Sequence, residues 1–553
     1  MLRKLLILSL FAFLIPSLRS QAATYAVKAG GGGDYSTIQS CVNAMAAGDT
    51  CVVYAGTYNE VVSVSAGTAG NYKTVTVNGS DVVYVYGFTV GSHTRVIGNC
   101  AAPATGGSCG FTITRPSSPA SNSCVGMSAG TTDVYIKNNL MTQCGNGGYM
   151  FTEGESTTGS TYIYIQGNTF SYGCDTPSAP NTCKGLQITG SYQLIENNDI
   201  SHVADGSTNY ANHTIYRGNT FHDLYTSECG SHSSNCHIDI IESEPVVGST
   251  PASAYNLYEG NIALRNIGNN DHGFLLQADA CSGQCTHAVI RYNVLAHIGN
   301  NTNGDGGTGI LADNAFSSST GYQYIKSYNN TNAYLQDPSN QATDFFSYNS
   351  SYGGEKNNIF YAIGSVSGYD DWADYNGGQT GFTSGGNLSF CTGSCSWASD
   401  YTATSTNKTG NPLFVNAGGD DFHLQSGSPA VGGGTYLTTA TNSGSASTSL
   451  VVSDASWFYP GYGFVSGDWV RVGSSATAQI TSIDYSSNTL TLASSISWSS
   501  GAGVYLYKDS RGNVVLNGTN PDVGALPSGT SGAPPPPPPT APNPPTNLTA
   551  TVD

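Results

Sequence analysis

VYIKNNLM (Val134–Met141) and IYIQGNTF (Ile163–Phe170) are two copies of one phrase, and the phrase keeps returning. It reads QLIENNDI at Gln193–Ile200, TIYRGNTF at Thr214–Phe221 and NLYEGNIA at Asn256–Ala263. Looser copies are VIRYNVL at Val289–Leu295, KNNIF at Lys356–Phe360 and GGNLSF at Gly385–Phe390. Each copy is a strand-like run, then an Asn, then an apolar residue. The aligned Asn residues are 139, 168, 198, 219, 261, 293, 330, 358 and 387, so the spacings are 29, 30, 21, 42, 32, 37, 28 and 29. A repeat of twenty to forty residues is the signature of a solenoid. Alternating apolar residues and turn-rich gaps, with almost no helical period, make it a β-solenoid. The recurring Asn reads as structural: Asn tolerates left-handed turns and can form a hydrogen-bonded ladder at one bend of each coil.

Working outward, the chain opens MLRKLLILSLFAFLIPSLRSQAA, a basic start, an apolar run and small residues, as in a secretory signal over residues 1–22. No later run is long enough to cross a bilayer, so a secreted or cell-surface protein is expected, without a membrane span and as a monomer. Charged residues are only 10% and net charge is −18. Nucleic acid is therefore a poor partner, because phosphate binding needs clustered Lys and Arg. A polyanion is repelled too, unless a metal or a local basic patch offsets the field. The fourteen Cys fall into near neighbours, 41/51, 100/109, 124/144, 174/183, 229/236, 281/285 and 391/395, which suits disulfides in an oxidising compartment. Stacked pairing of Cys144 with Cys174 is the alternative.

Residues 24–60 read TYAVKAGGGGDYSTIQSCVNAMAAGDTCVVYAGTYNE. A strand at Tyr25–Val27 precedes a Gly-rich turn. A short helix from Ser36 or Thr37 through Ala47 follows, with Ile38, Val42 and Met45 on one face, then a strand at Thr50–Tyr54. Such a helix can lid the open end of a solenoid. Thr37-Ile38-Gln39, Gly48-Asp49-Thr50 and Ala55-Gly56-Thr57-Tyr58-Asn59-Glu60 resemble the opening of right-handed parallel β-helix proteins of the pectin-lyase-like superfamily. Gly410–Val415, Asp421–Gln425, Gly427–Ala430 and Asp522–Gly524 resemble that group's closing coils. The resemblance implies a right-handed parallel β-helix over residues 23–437, closed by a tail at 508–527. It implies extracellular work on polysaccharides, as lyase, hydrolase or epimerase, or without catalysis. Residues 438–507 break the pattern and read as an inserted small β-barrel, with Trp457, Tyr459, Tyr462 and Trp469 as either its core or a sugar-binding face. A Pro-rich linker at 528–543 leads to residues 544–553, which resemble the first strand of a fibronectin type III module.

Eight of the ten His lie between 202 and 297, with Arg217, Arg265 and Arg291. Clustered titratable groups in a nearly uncharged chain point to a site. HIDIIESE (His237–Glu244) and HGFLLQAD (His272–Asp279) align without gaps and read as one strand on neighbouring coils. His237, Asp239, Glu242 and His272 are then candidate catalytic groups on an outward face. Phe274 lies beside Asp239 as a sugar platform, and Arg217, Arg265 and Arg291 are candidate substrate clamps. Glu244, Asp279 and Asp313 could hold Ca²⁺. Two carboxylates flanking a bond can run glycoside hydrolysis. Carboxylates holding Ca²⁺ beside a uronate can instead support β-elimination. An external His/Asp ladder without chemistry is the third possibility, and His213 and His222 read as structural. Only Asp271-His272-Gly273 echoes a polygalacturonase signature. Lys184 and Lys326 are the only Lys between 138 and 355, which argues against lysine-based elimination. The leading expectation is cleavage of a plant, algal or microbial polysaccharide; the rival is a non-catalytic, adhesive glycan-binding β-helix.

Overall fold

The computed structural model describes residues 21–99, 110–115, 123–144, 148–154, 159–173, 183–225, 238–245, 253–266, 271–278, 285–299, 307–313, 321–335, 345–347, 351–362, 372–374, 381–390 and 406–528, with backbone alone at 311–313, 345–347 and 372–374. The signal segment, the linker and the fibronectin-like stretch lie outside these residues, as do His237 and Asp279.

Among the described residues, 35 strands join one parallel network, a right-handed parallel β-helix. One coil shows the plan. Thr161–Gln166 lies on face A, Thr169–Ser171 on face B and Lys184–Ser191 on face C; Leu194–Glu196 then returns to face A. Neighbouring coils pair in register, Tyr164 with Leu194, Phe170 with Ile200 and Leu186 with Ser207. Inward residues such as Ile136, Ile165, Ile195, Phe170, Phe221 and Ile188 are fully buried and fill one continuous core.

The corners explain the repeat. In the coils from Asp133 to Ala362 three residues each take a left-handed conformation, five apart: Tyr192, Asn197 and His202, then His213, Gly218 and Asp223, then His287, Tyr292 and His297. Five residues therefore fix each of faces A and B, and all variation in coil length falls between the third corner and the next first corner. That interval is 11 residues from His202 to His213 and 32 from Asp223 to Tyr255. It contains face C. Asn, Asp and His accept positive φ more readily than most residues, which is why they gather at corners.

The recurring Asn follows the second corner immediately, so the left-handed residue is its predecessor and the Asn side chain points inward. The backbone N–H of each Asn donates to Oδ1 of the next: Asn139 to Asn168 (3.0 Å), Asn168 to Asn198 (2.9 Å), Asn198 to Asn219 (3.0 Å), and onward through Asn261, Asn293, Asn330, Asn358 and Asn387. Asn407, which the repeat missed, accepts from Asn387 at 3.1 Å. The first corner carries a second ladder of stacked rings: Tyr162, Tyr192, His213, Tyr255, His287, Tyr324 and Tyr352, at centroid spacings of 4.7–5.5 Å.

The ends and two faces are covered. The helix Ile38–Ala44 caps the N-terminal opening and stops three residues before the expected Ala47, because Met45 turns into extended backbone. Glu60 of the AGTYNE motif accepts from the N–H groups of Ile38 (2.8 Å) and Gln39 (2.9 Å), and the Tyr58 hydroxyl reaches the carbonyls of Val27 and Tyr54. Strands between Thr438 and Lys508 form a six-stranded antiparallel sheet, closed by a bridge between Ala440 and Val452. This barrel sits on face A, where Leu194, Ile215, Leu257 and Val289 pack against Trp457, Phe458, Leu490 and Leu506. Trp457 and Tyr459 are buried, and Tyr462 packs edge-on against His213, so these three serve packing rather than a sugar. Trp469 lies under the Lys508 ammonium. The tail packs Val523 and Ala525, with Phe414 and Phe422, on Leu264, Val294 and Ile359 of face B. Cys41–Cys51 and Cys124–Cys144 are disulfides as spaced, which excludes a Cys144–Cys174 pair; Cys183 and Cys285 are also bonded. No described helix is long and apolar enough to cross a membrane.

Candidate active site

The barrel covers part of face A and the tail part of face B; no described face C residue belongs to either of those two packing clusters. Face C strands run Tyr149–Thr152, Lys184–Ser191, Ser207–Asn212, Ile238–Ser243 and Asp271–Gln277. Their outward residues form columns across the coils. One column runs from Tyr149 to Lys184, Asp205, Asp239 and His272. The next runs Thr152, Gln187, Thr208 and Glu242.

The register differs from the gapless alignment. Asp239 faces His272 and Ile241 faces Phe274, so His272 pairs two residues further along than expected. Between Asp239 and Glu242 both Ile240 and Ile241 enter the core, breaking the alternation. In the same column the neighbours are Gly206 and Gly273, where an added Cβ would meet the Ile240 carbonyl at 2.5 Å and the Gly309 carbonyl at 2.3 Å. Only glycine lets the backbone close up at this kink. Beyond it Phe274 points inward and is fully buried, so it is no sugar platform.

Lys184 is the residue that scarcity had discounted. Its Nζ lies 2.6 Å from Asp205 Oδ2 and 3.6 Å from Glu242 Oε2. Burial pulls its pKa down, but Asp205, Glu242 and Tyr149 hold it well above the ordinary lysine range. It is thus a fixed cation and not a base at neutral pH. Burial pushes the Glu242 carboxyl up to about 8; Lys184 opposes this, and Asp239, Asp205 and Glu244 reinforce it. Asp205 Oδ1 accepts the Asp239 N–H at 3.2 Å. Asp239 Oδ1 in turn lies 2.7 Å from His272 Nδ1. Tyr149 donates to Thr208 Oγ1 at 3.2 Å, and the Tyr210 hydroxyl is hydrogen-bonded with Tyr149 and Glu244.

The arginines are structural. Arg291 is fully buried and clamps Asp468 of the barrel through two 2.7 Å bonds, with Glu259 at 3.3 Å. Arg217 holds Glu196 at 2.7 Å and Ser510 at 3.1 Å. Arg265 sits at a corner and holds Asp223 at 3.3 Å and Asp420 at 2.8 Å. All three are therefore corrected from substrate clamps to ties within the scaffold. The His cluster resolves similarly. His202, His213, His287 and His297 are corner residues, and burial lowers His213 and His287 to about 4. His222 bonds Asp223 at 2.7 Å and Asp199 at 3.3 Å. Among the described residues no group of three His, Cys, Asp or Glu could hold a metal ion. Lys184 already pairs with Asp205; of the residues expected to hold Ca²⁺, Glu244 is described, while the side chain of Asp313 and all of Asp279 lie outside the description.

No protein-family model matches the chain, and no curated protein matches it in sequence. Solved structures resemble it. The PL6 family alginate lyase AlyGC shares 13% identity over 70% of this chain and 54% of that one, with a TM-score of 0.38. PfbA, a surface adhesin of Streptococcus pneumoniae, shares 11% over 66% and 86%, with a TM-score of 0.39. The pectate lyase Pel9A shares 13% over 77% and 94%, with a TM-score of 0.34. The chain spans about half the length of AlyGC. Likeness at this level bears on neither substrate nor chemistry.

Proposed function

We propose that this is an extracellular polysaccharide-active β-helix protein that cleaves a sugar chain laid across face C by acid–base chemistry. The observation that carries the reading is one pair of groups of opposite role on one outward face. Burial pushes the Glu242 carboxyl up to about 8, the direction an acid needs, and Asp239 lies 2.7 Å from His272 Nδ1. With Nδ1–H donated to Asp239, His272 presents the lone pair of Nε2, the tautomer a general base needs. Glu242 then protonates the leaving glycosidic oxygen while His272 takes a proton from water or from the carbon beside a uronate carboxylate. Lys184 keeps Asp205 from adding uncompensated negative charge beside the substrate. Asp239 and Glu242 stand three residues apart on one strand, and His272 pairs with Asp239 on the neighbouring coil, about 5 Å away.

The test is product formation from a panel of acidic and neutral polysaccharides, with Glu242→Gln and His272→Asn as comparisons. Reducing ends without ultraviolet-absorbing product mean hydrolysis; unsaturated uronides mean elimination. Full turnover by Glu242→Gln would sink the assignment. Silence from the folded wild-type protein across the panel would turn the reading to a glycan binder.

A further inference from the structure

Face A carries an outward column that the barrel covers only in part. Its residues pair coil to coil as Arg95, Tyr135, Tyr164, Leu194, Ile215, Leu257 and Val289. The last four are apolar and lie under the barrel. Coverage ends at Phe464, whose ring is 5.4 Å from that of Tyr164. Beyond that edge the column turns aromatic and cationic. Tyr135 and Tyr164 stack at 4.3 Å with planes 1° apart, and Tyr72 packs edge-on to Tyr135 at 5.6 Å. The Arg95 guanidinium lies 3.8 Å over the Tyr72 ring, and Lys137 Nζ is 5.0 Å from that of Tyr135.

Burial lowers the pKa of Lys137; Glu196 supports its charge from beyond ion-pair distance and Arg95 opposes it. Among the described residues, neither has a carboxylate within ion-pair distance. The acids nearby are already engaged. Asp133 accepts from the Tyr72 hydroxyl at 2.5 Å and lies 3.1 Å from His93. Glu196 holds Arg217 at 2.7 Å and Gln166 at 2.7 Å. In a chain of net charge −18, a pair of half-buried cations on an aromatic strip is a local reversal of the field. The rings supply a rigid, partly desolvated floor, and the planar Arg95 fork suits a two-oxygen anion.

We infer that this strip is a second, non-catalytic binding site for an anionic sugar residue of a polysaccharide, either the carboxylate of a uronate or a sulfate ester. It lies on a different face from Glu242 and His272, so it anchors the polymer rather than cleaving it. It stands or falls apart from the catalytic reading of face C.

The test is affinity electrophoresis of the full chain in gels holding a polyuronate, a sulfated glycan or a neutral glucan. The expected result is retardation by one or both anionic polymers, weakened by salt, and no retardation by the neutral one. The polymer that retards identifies carboxylate or sulfate. The double variant Arg95→Gln/Lys137→Gln should weaken binding about ten-fold or more, Arg95→Glu should weaken it too, and Lys28→Gln, which removes a cation lying over Tyr54 at the N-terminal end, should leave it unchanged. Circular dichroism checks that each variant is folded. The inference is overturned by equal retardation of the double variant, by equal retention on neutral glucan, by an equal loss in Lys28→Gln, or by no retention of wild type on either anionic polymer.

Discussion

Replacing Asn219 by Ala tests the ladder at a fully buried rung. The Asn219 side chain makes four contacts. Its Oδ1 accepts from the Asn198 backbone N–H and from Asn198 Nδ2, both at 3.0 Å, and its Nδ2 donates to the Ile195 carbonyl and to Asn261 Oδ1, both at 2.9 Å. Asn198 Nδ2 keeps the Ile165 carbonyl at 2.8 Å, and Asn261 Oδ1 keeps the Asn219 N–H at 3.0 Å. The Asn198 backbone N–H loses this acceptor inside a dry wall. An orphaned buried group costs about 1–3 kcal/mol, and each further neutral bond contributes about 0.5–1.5 kcal/mol net. The expected loss is therefore about 3–5 kcal/mol, read from guanidinium unfolding followed by circular dichroism. Hydrogen exchange should show the Asn198 amide losing protection first. The half-exposed terminal rung, Asn407→Ala, should cost well under half as much. A loss below about 1 kcal/mol at Asn219, or equal losses at the two rungs, would refute the reasoning that dry burial gives the ladder its strength.

Three further outcomes are expected. If Glu242 is the acid, turnover by wild type falls as pH rises through about 8, where its proton leaves, and Glu242→Gln loses turnover at every pH while its unfolding midpoint stays within a few degrees; a flat profile to pH 9 would contradict this. Glu153 is fully buried, which pushes its carboxyl up to about 8 from an ordinary 4.5, against bonds from Gln193 and Thr189. The folded protein then holds a proton between those values that the unfolded chain has released, so stability falls with rising pH across that window. Glu153→Gln should remove its own share of this slope, leaving that of Glu242, and be the more stable form above pH 8 by a few kcal/mol on the order implied by such a shift, as denaturant titrations at pH 5 and 9 would show. Arg291→Met strands the Asp468 carboxylate with the Tyr459 N–H at 2.8 Å. It should cost about 3–5 kcal/mol and expose the barrel junctions near 437 and 508 to protease, with Asp468→Leu restoring most of the loss.

Much of this was legible in the sequence. The Asn phrase marks each coil because one side chain per turn must satisfy the same inner bend. The TIQ, GDT and AGTYNE segments each supply a visible bond at the N-terminal lid. The errors have particular causes. His202, His287 and His297 looked like chemistry because titratable residues cluster at sites, yet the same residue type suits left-handed corners, as it does at His213, which the sequence already marked as structural. A two-residue slip of His272 against Asp239 keeps side-chain parity, so alternation could not detect it. The glycine kink at Gly206 and Gly273 then turned Phe274 inward, and no local signal separates such a kink from a flexible strand. The apolar position four residues before Asn198, Asn219, Asn261 and Asn293 was a missed clue. Leu194, Ile215, Leu257 and Val289 stand where alternation demands solvent, which requires something to cover them, and the barrel does. Lys184 was set aside for rarity, although a lone cation among Asp205 and Glu242 gains weight from being rare.

The five-residue intervals between corners have a consequence for how such a protein can change. An extra residue between His213 and Asp223 would push an Asn out of its column and misalign every ring above it. Extra residues between Asp223 and Tyr255 displace no corner, and that interval already differs threefold in length from the one between His202 and His213. Length mutations are thus filtered by position: two sides of each coil reject them and the third absorbs them. The absorbing side is the one that carries Lys184, Asp239, Glu242 and His272. Lineages descending from this chain could remodel the walls around those groups repeatedly while inheriting the floor intact, so loop grafting at face C is the natural route to new substrate preference in the laboratory as well.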